Sequence, residues 1–227
     1  MRLNAAQREL SLKIVYYGWG LSGKTTNLSH LHGSYPEEQR GRLLQLDTET
    51  ERTLFFDYFP LHLGQIGGYR LKFDFFTVPG QSFYGSTRRA VLEGVDGIIF
   101  VADSSPLREE ANVTSREDMR RTLADSGRPL DTIPHLHQWN KQDMRRTLAD
   151  SGRPLDTIPH LHQWNKQDLR DALAPKLMDR YLNPEGAPSI PAVARNGVGV
   201  WETQSAIVRL VMESVRAATT RSVRRHA

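Results

Sequence analysis

Apolar positions along the chain fall into short blocks of two kinds. Leu12 to Tyr17 is a compact apolar run that ends in glycines, and Val95 to Ala102 (VDGIIFVA) is continuously apolar. Runs of this length and composition predict strands covered on both faces, as in the centre of a parallel sheet. Arg52 to Leu63 and Tyr69 to Val78 are rich in aromatic residues and are separated by Gly67-Gly68, which predicts two strands joined by a turn. Ser189 to Val193 predicts a further strand. Between these runs the period changes. A helix is expected from Lys24, another at the end of Gln81 to Leu92, and a third within Arg108 to Ala124. Arg170 to Tyr181 is helix-like, and Val200 to Ala217 carries apolar residues at Ile207, Leu210, Val211 and Val215. Arg40 to Glu51 is polar and predicts irregular structure. Strands alternating with helices imply an α/β fold with a doubly wound, mostly parallel sheet of about six strands and helices on both faces.

One feature interrupts this order. Residues 118–142 (DMRRTLADSGRPLDTIPHLHQWNKQ) recur unchanged as residues 143–167. Two copies with no other shared period do not make a solenoid. Only one copy of the strand-like TIPHLHQWN can lie beside VDGIIFVA, so the expectation is a single domain over 1–227 with one repeat copy in excess and partly extruded. Its last residues, 218–227, form a basic tail expected to fray.

Composition narrows the class without naming a function. The 227 residues are 38% hydrophobic, carry a formal charge of +4 and contain no cysteine. Disulfides, thiolate chemistry and cysteine-held zinc are excluded, and a reducing compartment is implied. No apolar run approaches the length of an integral membrane segment. The start, Met1-Arg2-Leu3-Asn4, lacks a signal-peptide core, so a cytoplasmic protein is expected. The charge excess sits mostly in the terminal arginines and is too mild to imply nucleic acid as a partner.

The chemistry is concentrated in three segments. Gly18-Trp19-Gly20-Leu21-Ser22-Gly23-Lys24-Thr25 has the spacing GxxxxGK[ST] after a strand and before a helix. Glycines there let successive backbone N–H groups point inward at phosphate oxygens, and the helix start adds its positive dipole end. Gly18, Gly20, Leu21, Ser22, Gly23, Lys24, Thr25 and Thr26 are therefore the candidate phosphate cradle. Lys24 would neutralise phosphate charge and Thr25 would ligate Mg²⁺. Asn-Lys-Gln-Asp occurs twice, as Asn140–Asp143 and as Asn165–Asp168. An aspartate accepting from guanine N1–H and the exocyclic amine rejects adenine, which leaves that carboxylate unpaired. Asn165, Lys166 and Asp168 are the preferred base-binding set, because Leu169 and a helix-like segment follow directly. Asn140, Lys141 and Asp143 are the alternative. Thr77-Val78-Pro79-Gly80-Gln81 places a glycine N–H and a water-orienting glutamine after a strand. Glu51-Arg52-Thr53 offers a cation and a hydroxyl at a strand entry.

With these motifs in order, the chain resembles the bacterial MglA-type small GTPases, a Ras-like branch associated with gliding motility and cell polarity. The resemblance rests on KIVYYGWGLSGKTTNL, ERTLFFDYFPL, FDFFTVPGQSFY, GVDGIIFVADS, NKQDL and ARNGVGVWET. It implies a Ras-like G domain that binds GTP and GDP with Mg²⁺ and hydrolyses GTP slowly without a partner. Gln81, Arg52 and Lys24 would be catalytic, with Arg52 an arginine finger in cis. Thr53 would join Thr25 on the metal, Gly80 would meet the γ-phosphate, and Ala194 would offer its backbone to the guanine carbonyl oxygen. Thr77 stands where most Ras-like proteins carry an aspartate, which removes a carboxylate from the outer shell of Mg²⁺. The resemblance further implies an MglB-type activating partner of the Roadblock class, polarity or motility effectors, and recruitment to a cell pole. Two other classes remain open: a binding scaffold whose guanine site is disturbed by the duplication, and a P-loop ATPase or kinase.

Overall fold

A computed structural model describes residues 1–46, 56–79, 85–125, 158–184 and 186–225. Arg52, Thr53, Gly80, Gln81, Asn140, Lys141 and Asp143 lie outside the described residues.

The strands are β1 (Arg2–Asn4), β2 (Glu9–Tyr17), β3 (Leu44–Leu46), β4 (Phe56–Ile66), β5 (Tyr69–Thr77), β6 (Gly97–Asp103), β7 (His160–Asn165) and β8 (Ser189–Pro191). The helices are α1 (Lys24–Ser34), α2 (Gly85–Leu92), α3 (Glu109–Asp125), α4 (Pro175–Leu182) and α5 (Val200–Arg225). All eight strands join one sheet in the order β3-β4-β5-β2-β6-β7-β8, with β1 antiparallel on β2. Pairings from β5 through β2, β6 and β7 to β8 are parallel, while β3, β4 and β5 form an antiparallel run. This is the expected doubly wound sheet, enlarged from about six strands to eight by the three-residue β1 and β3. The latter falls in the polar 40–51 stretch, where Leu44 and Leu46 supply enough apolar character to pair with Tyr58 and Phe56 of β4.

The alternation along β2 divides two cores. Leu12, Ile14 and Tyr16 face α1 and α5 through Leu28, Leu31, Ile207 and Val211. Val15 and Tyr17 face α2, α3 and α4 through Leu92, Met119, Leu123, Met178 and Leu182. Both faces are covered, which is why the central strands carry no polar alternation. No glycine or proline interrupts 200–225, and α5 accordingly runs to Arg225 rather than stopping near Ala217.

The two repeat copies contribute to different elements. The end of α3, from Asp118 to Asp125, belongs to the first copy, and β7 belongs to the second. Met119 and Leu123 of one copy pack in the same core as Ile158 and Trp164 of the other. Parallel pairing of β7 on β6, from Ile98↔His160 to Asp103↔Asn165, carries the end of β7 to the edge of the sheet where the glycine loop lies.

Candidate functional site

The glycine loop leaves the end of β2 and turns directly into α1. Two of its glycines leave no room for a side chain. A Cβ on Gly18 (φ +149°) would stand 2.2 Å from the Val101 carbonyl oxygen, and one on Gly23 (φ +103°) would stand 2.1 Å from Asn165 Nδ2. Lys24, the first residue of α1, is buried, and its ammonium donates to the Gly18 and Trp19 carbonyls at 2.8 and 2.7 Å. Burial lowers the Lys24 pKa to about 8 against the opposing pull of Asp57, and the positive charge of Arg88 adds to the depression. A cation held this far below its ordinary value gains most from an anion brought into the loop.

A carboxylate stands beside the helix start after all, from a residue that sequence reasoning missed. The register that pairs Tyr58 with Phe76 brings Asp57 opposite Thr77. Asp57 Oδ2 accepts from Thr25 Oγ1 at 2.6 Å and from Thr77 Oγ1 at 2.9 Å, and the Asp57 N–H donates back to Thr77 Oγ1 at 2.8 Å. Asp57 and Thr77 are both buried. Thr25, Asp57 and Thr77 form an all-oxygen donor set of the kind that suits a hard divalent cation. A signal was present in the sequence. Asp57 shares the period-2 stripe of Phe59 and Leu61, which face the core, and an acidic residue on such a stripe is an exception that needs a partner.

The second Asn-Lys-Gln-Asp copy closes the other side. Asn165 is buried; its Nδ2 donates to the Ser22 carbonyl at 2.8 Å and its Oδ1 accepts from the Ala194 N–H at 2.9 Å. One side chain thus ties the glycine loop to the loop after β8. Lys166 has a left-handed backbone (φ +66°) and pairs with the buried Asp103 at 2.6 Å. Asp168 pairs with Arg195 at 2.6 Å. Between these residues lies a cavity of about 200 Å³, lined among others by Gly23, Thr26, Asp168 and Ala194. A second group that sequence reasoning did not single out holds β7 in register. Asn27 of α1 and Gln163 of β7 exchange hydrogen bonds at 2.8 and 2.9 Å, and Gln163 also donates to Thr203 of α5 at 2.9 Å. All three are fully buried, so their mutual satisfaction is what makes the arrangement tolerable.

The predicted residues therefore separate into two groups. The glycine loop, Lys24, Thr25, Thr26, Asn165, Lys166, Asp168 and Ala194 come together at one edge of the sheet. Arg52, Thr53, Gly80 and Gln81 fall outside the described residues, as does the first Asn-Lys-Gln-Asp copy. No protein-family model matches the chain. It is 42% identical over 214 residues, 94% of this chain and 97% of the relative, to "Mutual gliding-motility protein MglA" of Myxococcus xanthus (strain DK1622). The chain belongs to the MglA-type small GTPases. Membership accounts for the Ras-like order of elements, the glycine loop between β2 and α1, and a GTP-hydrolase activity in general terms. The extra 25 residues of this MglA-type chain lie between α3 and β7, away from the loop that precedes α1.

Proposed function

We propose that the chain is a molecular switch that binds GTP and GDP with Mg²⁺, hydrolyses GTP slowly on its own, and acts in cell polarity or gliding motility. The observation that carries this reading is Asn165, whose amide joins the Ser22 carbonyl of the phosphate loop to the Ala194 N–H. A phosphate cradle and a base pocket held together by one buried side chain suit a nucleotide whose two ends must be bound at a fixed separation.

In this reading the backbone N–H groups of Gly18 to Thr26 surround the phosphates. Lys24 spends two of its three N–H groups on loop carbonyls, which aims the third at a phosphate oxygen. Asp168 accepts from guanine N1–H and the amine, Lys166 covers the base face, and the Ala194 segment meets the carbonyl oxygen. Thr25 and Thr53 hold the metal, and Asp57 supports it from β4 in place of the carboxylate absent at Thr77. Bound there, Mg²⁺ would supply positive charge to the terminal phosphates. Gln81 orients the attacking water, Gly80 contacts the γ-phosphate, and Arg52 neutralises charge that develops in the transition state.

An MglB-type activator of the Roadblock class and polarity or motility effectors are the proposed partners. The proposed location is the cytoplasm with recruitment to a pole. Among the described residues, no helix is long and apolar enough to cross a membrane.

The test compares nucleotides and repeat copies together. GTP should bind with Mg²⁺ and compete far better than ATP. Asp168→Asn should shift preference from GTP to xanthosine triphosphate, because the amide offers a donor to the xanthine carbonyl. Asp143→Asn should change nothing. A base-preference shift in Asp143→Asn alone would assign the base site to the first copy. Arg52→Ala and Gln81→Ala should lose partner-stimulated hydrolysis while still binding GTP. Full stimulated turnover in both would remove their assigned roles.

A further inference from the structure

Leu21 sits at the tip of the glycine loop with a left-handed backbone, φ +65°. That conformation is strained for a residue with a Cβ and is the ordinary place for glycine. Its side chain is 78% exposed, so core packing does not explain a leucine at this position. Persistent strain in a loop built otherwise from glycines points to function rather than to stability.

The side chain has a definite position. Leu21 lines the cavity of about 200 Å³ that also holds Asp168, Lys166 and Ala194, and Leu169, itself 37% exposed, lines the same cavity. A polar cavity thus carries two exposed isobutyl groups on its walls. Such groups suit the flat apolar faces of a purine ring and its sugar, which need cover from water rather than hydrogen bonds.

We propose that Leu21 is a retention residue, closing apolar cover over the nucleoside part of the bound nucleotide and slowing its release. The proposal rests on the guanine-nucleotide reading of the site and deepens it. Loop strain, which glycine would relieve, is the counterpart of that cover.

Three substitutions separate cover from strain. Leu21→Ala removes the cover and keeps the Cβ strain, Leu21→Gly removes both, and Leu21→Met restores an apolar side chain on the same backbone. Release of methylanthraniloyl-GDP should be about tenfold faster in the Ala and Gly variants, from losing burial of roughly half a leucine side chain. Release from Leu21→Met should return to within about twofold of the wild type. Thermal unfolding of nucleotide-free protein should rise by roughly 2–4 °C in Leu21→Gly and not in Leu21→Ala. Wild-type release rates in the Ala and Gly variants would overturn the role in retention. A Gly variant no more stable than the Ala variant would overturn the strain argument. A wild-type protein that takes up no methylanthraniloyl-GDP would overturn the underlying reading, and the proposal with it.

Discussion

Asn165→Ala is the substitution that most directly probes how the site is assembled. The residue is nearly fully buried, and its amide satisfies the Ser22 carbonyl and the Ala194 N–H, both also buried. Truncation leaves one acceptor and one donor without a partner. Each orphaned group costs about 1–3 kcal/mol, and water entering from the adjoining cavity recovers some of it, so about 3 kcal/mol is expected in total. Asn165→Asp should be no milder. A carboxylate can still accept from Ala194, but it sets negative charge against the Ser22 carbonyl. Urea unfolding followed by fluorescence of the fully buried Trp164 reads the loss. With m near 3 kcal/mol/M, the midpoint should fall by about 1 M. Release of GDP should accelerate in parallel, because the same amide fixes the phosphate loop against the Ala194 loop. Asn140→Ala, made in an identical sequence context, should leave midpoint and release unchanged. If Asn140→Ala reproduces the loss and Asn165→Ala leaves the midpoint within about 0.2 M, the site is built on the first copy and the reasoning fails.

Three further outcomes follow from the same geometry. Asp57→Asn should weaken the dependence of nucleotide retention on Mg²⁺ by tenfold or more, measured as GDP release across a Mg²⁺ titration, while shifting the urea midpoint only slightly. Lys24 has a folded pKa near 8 against an ordinary 10.5, so between those values the unfolded chain binds more protons than the folded one. Nucleotide-free wild type should therefore gain stability relative to Lys24→Met as pH rises from 8 to 10.5, and show no such gain below pH 7. Deleting residues 126–150 shortens the connection between α3 and β7 from 32 residues to seven and leaves one full repeat copy. Closure entropy alone predicts about 1.3 kcal/mol of added stability with nucleotide binding retained. Loss of binding in this variant would show that the second copy is more than an excess.

Much of this protein is legible in local sequence because local sequence is where its physics is short-ranged. The doubly buried runs at 12–17 and 95–102, the glycine loop and the helix that follows it each carry their own signal within a few residues. The phosphate cradle is one such signal, since glycine spacing, lysine and hydroxyl are consecutive in the chain. Three things needed the tertiary structure. β1 and β3 are three-residue strands, too short to announce a period, and exist only because neighbouring edges accept them. Asp57 becomes a site residue only through the β4–β5 register that carries it to Thr25 and Thr77. Two identical 25-residue copies have identical local propensities, so no local signal can choose between them. In the structure the choice falls on long-range contacts: Gln163 with Asn27 and Thr203, and Asn165 with Ser22 and Ala194, all across elements far apart in the chain. Sequence by itself determined that a nucleotide-binding α/β domain forms; the buried hydrogen bonds of β7 decided which copy of its base-recognition strand completes it, because only contacts beyond the repeat differ between the two.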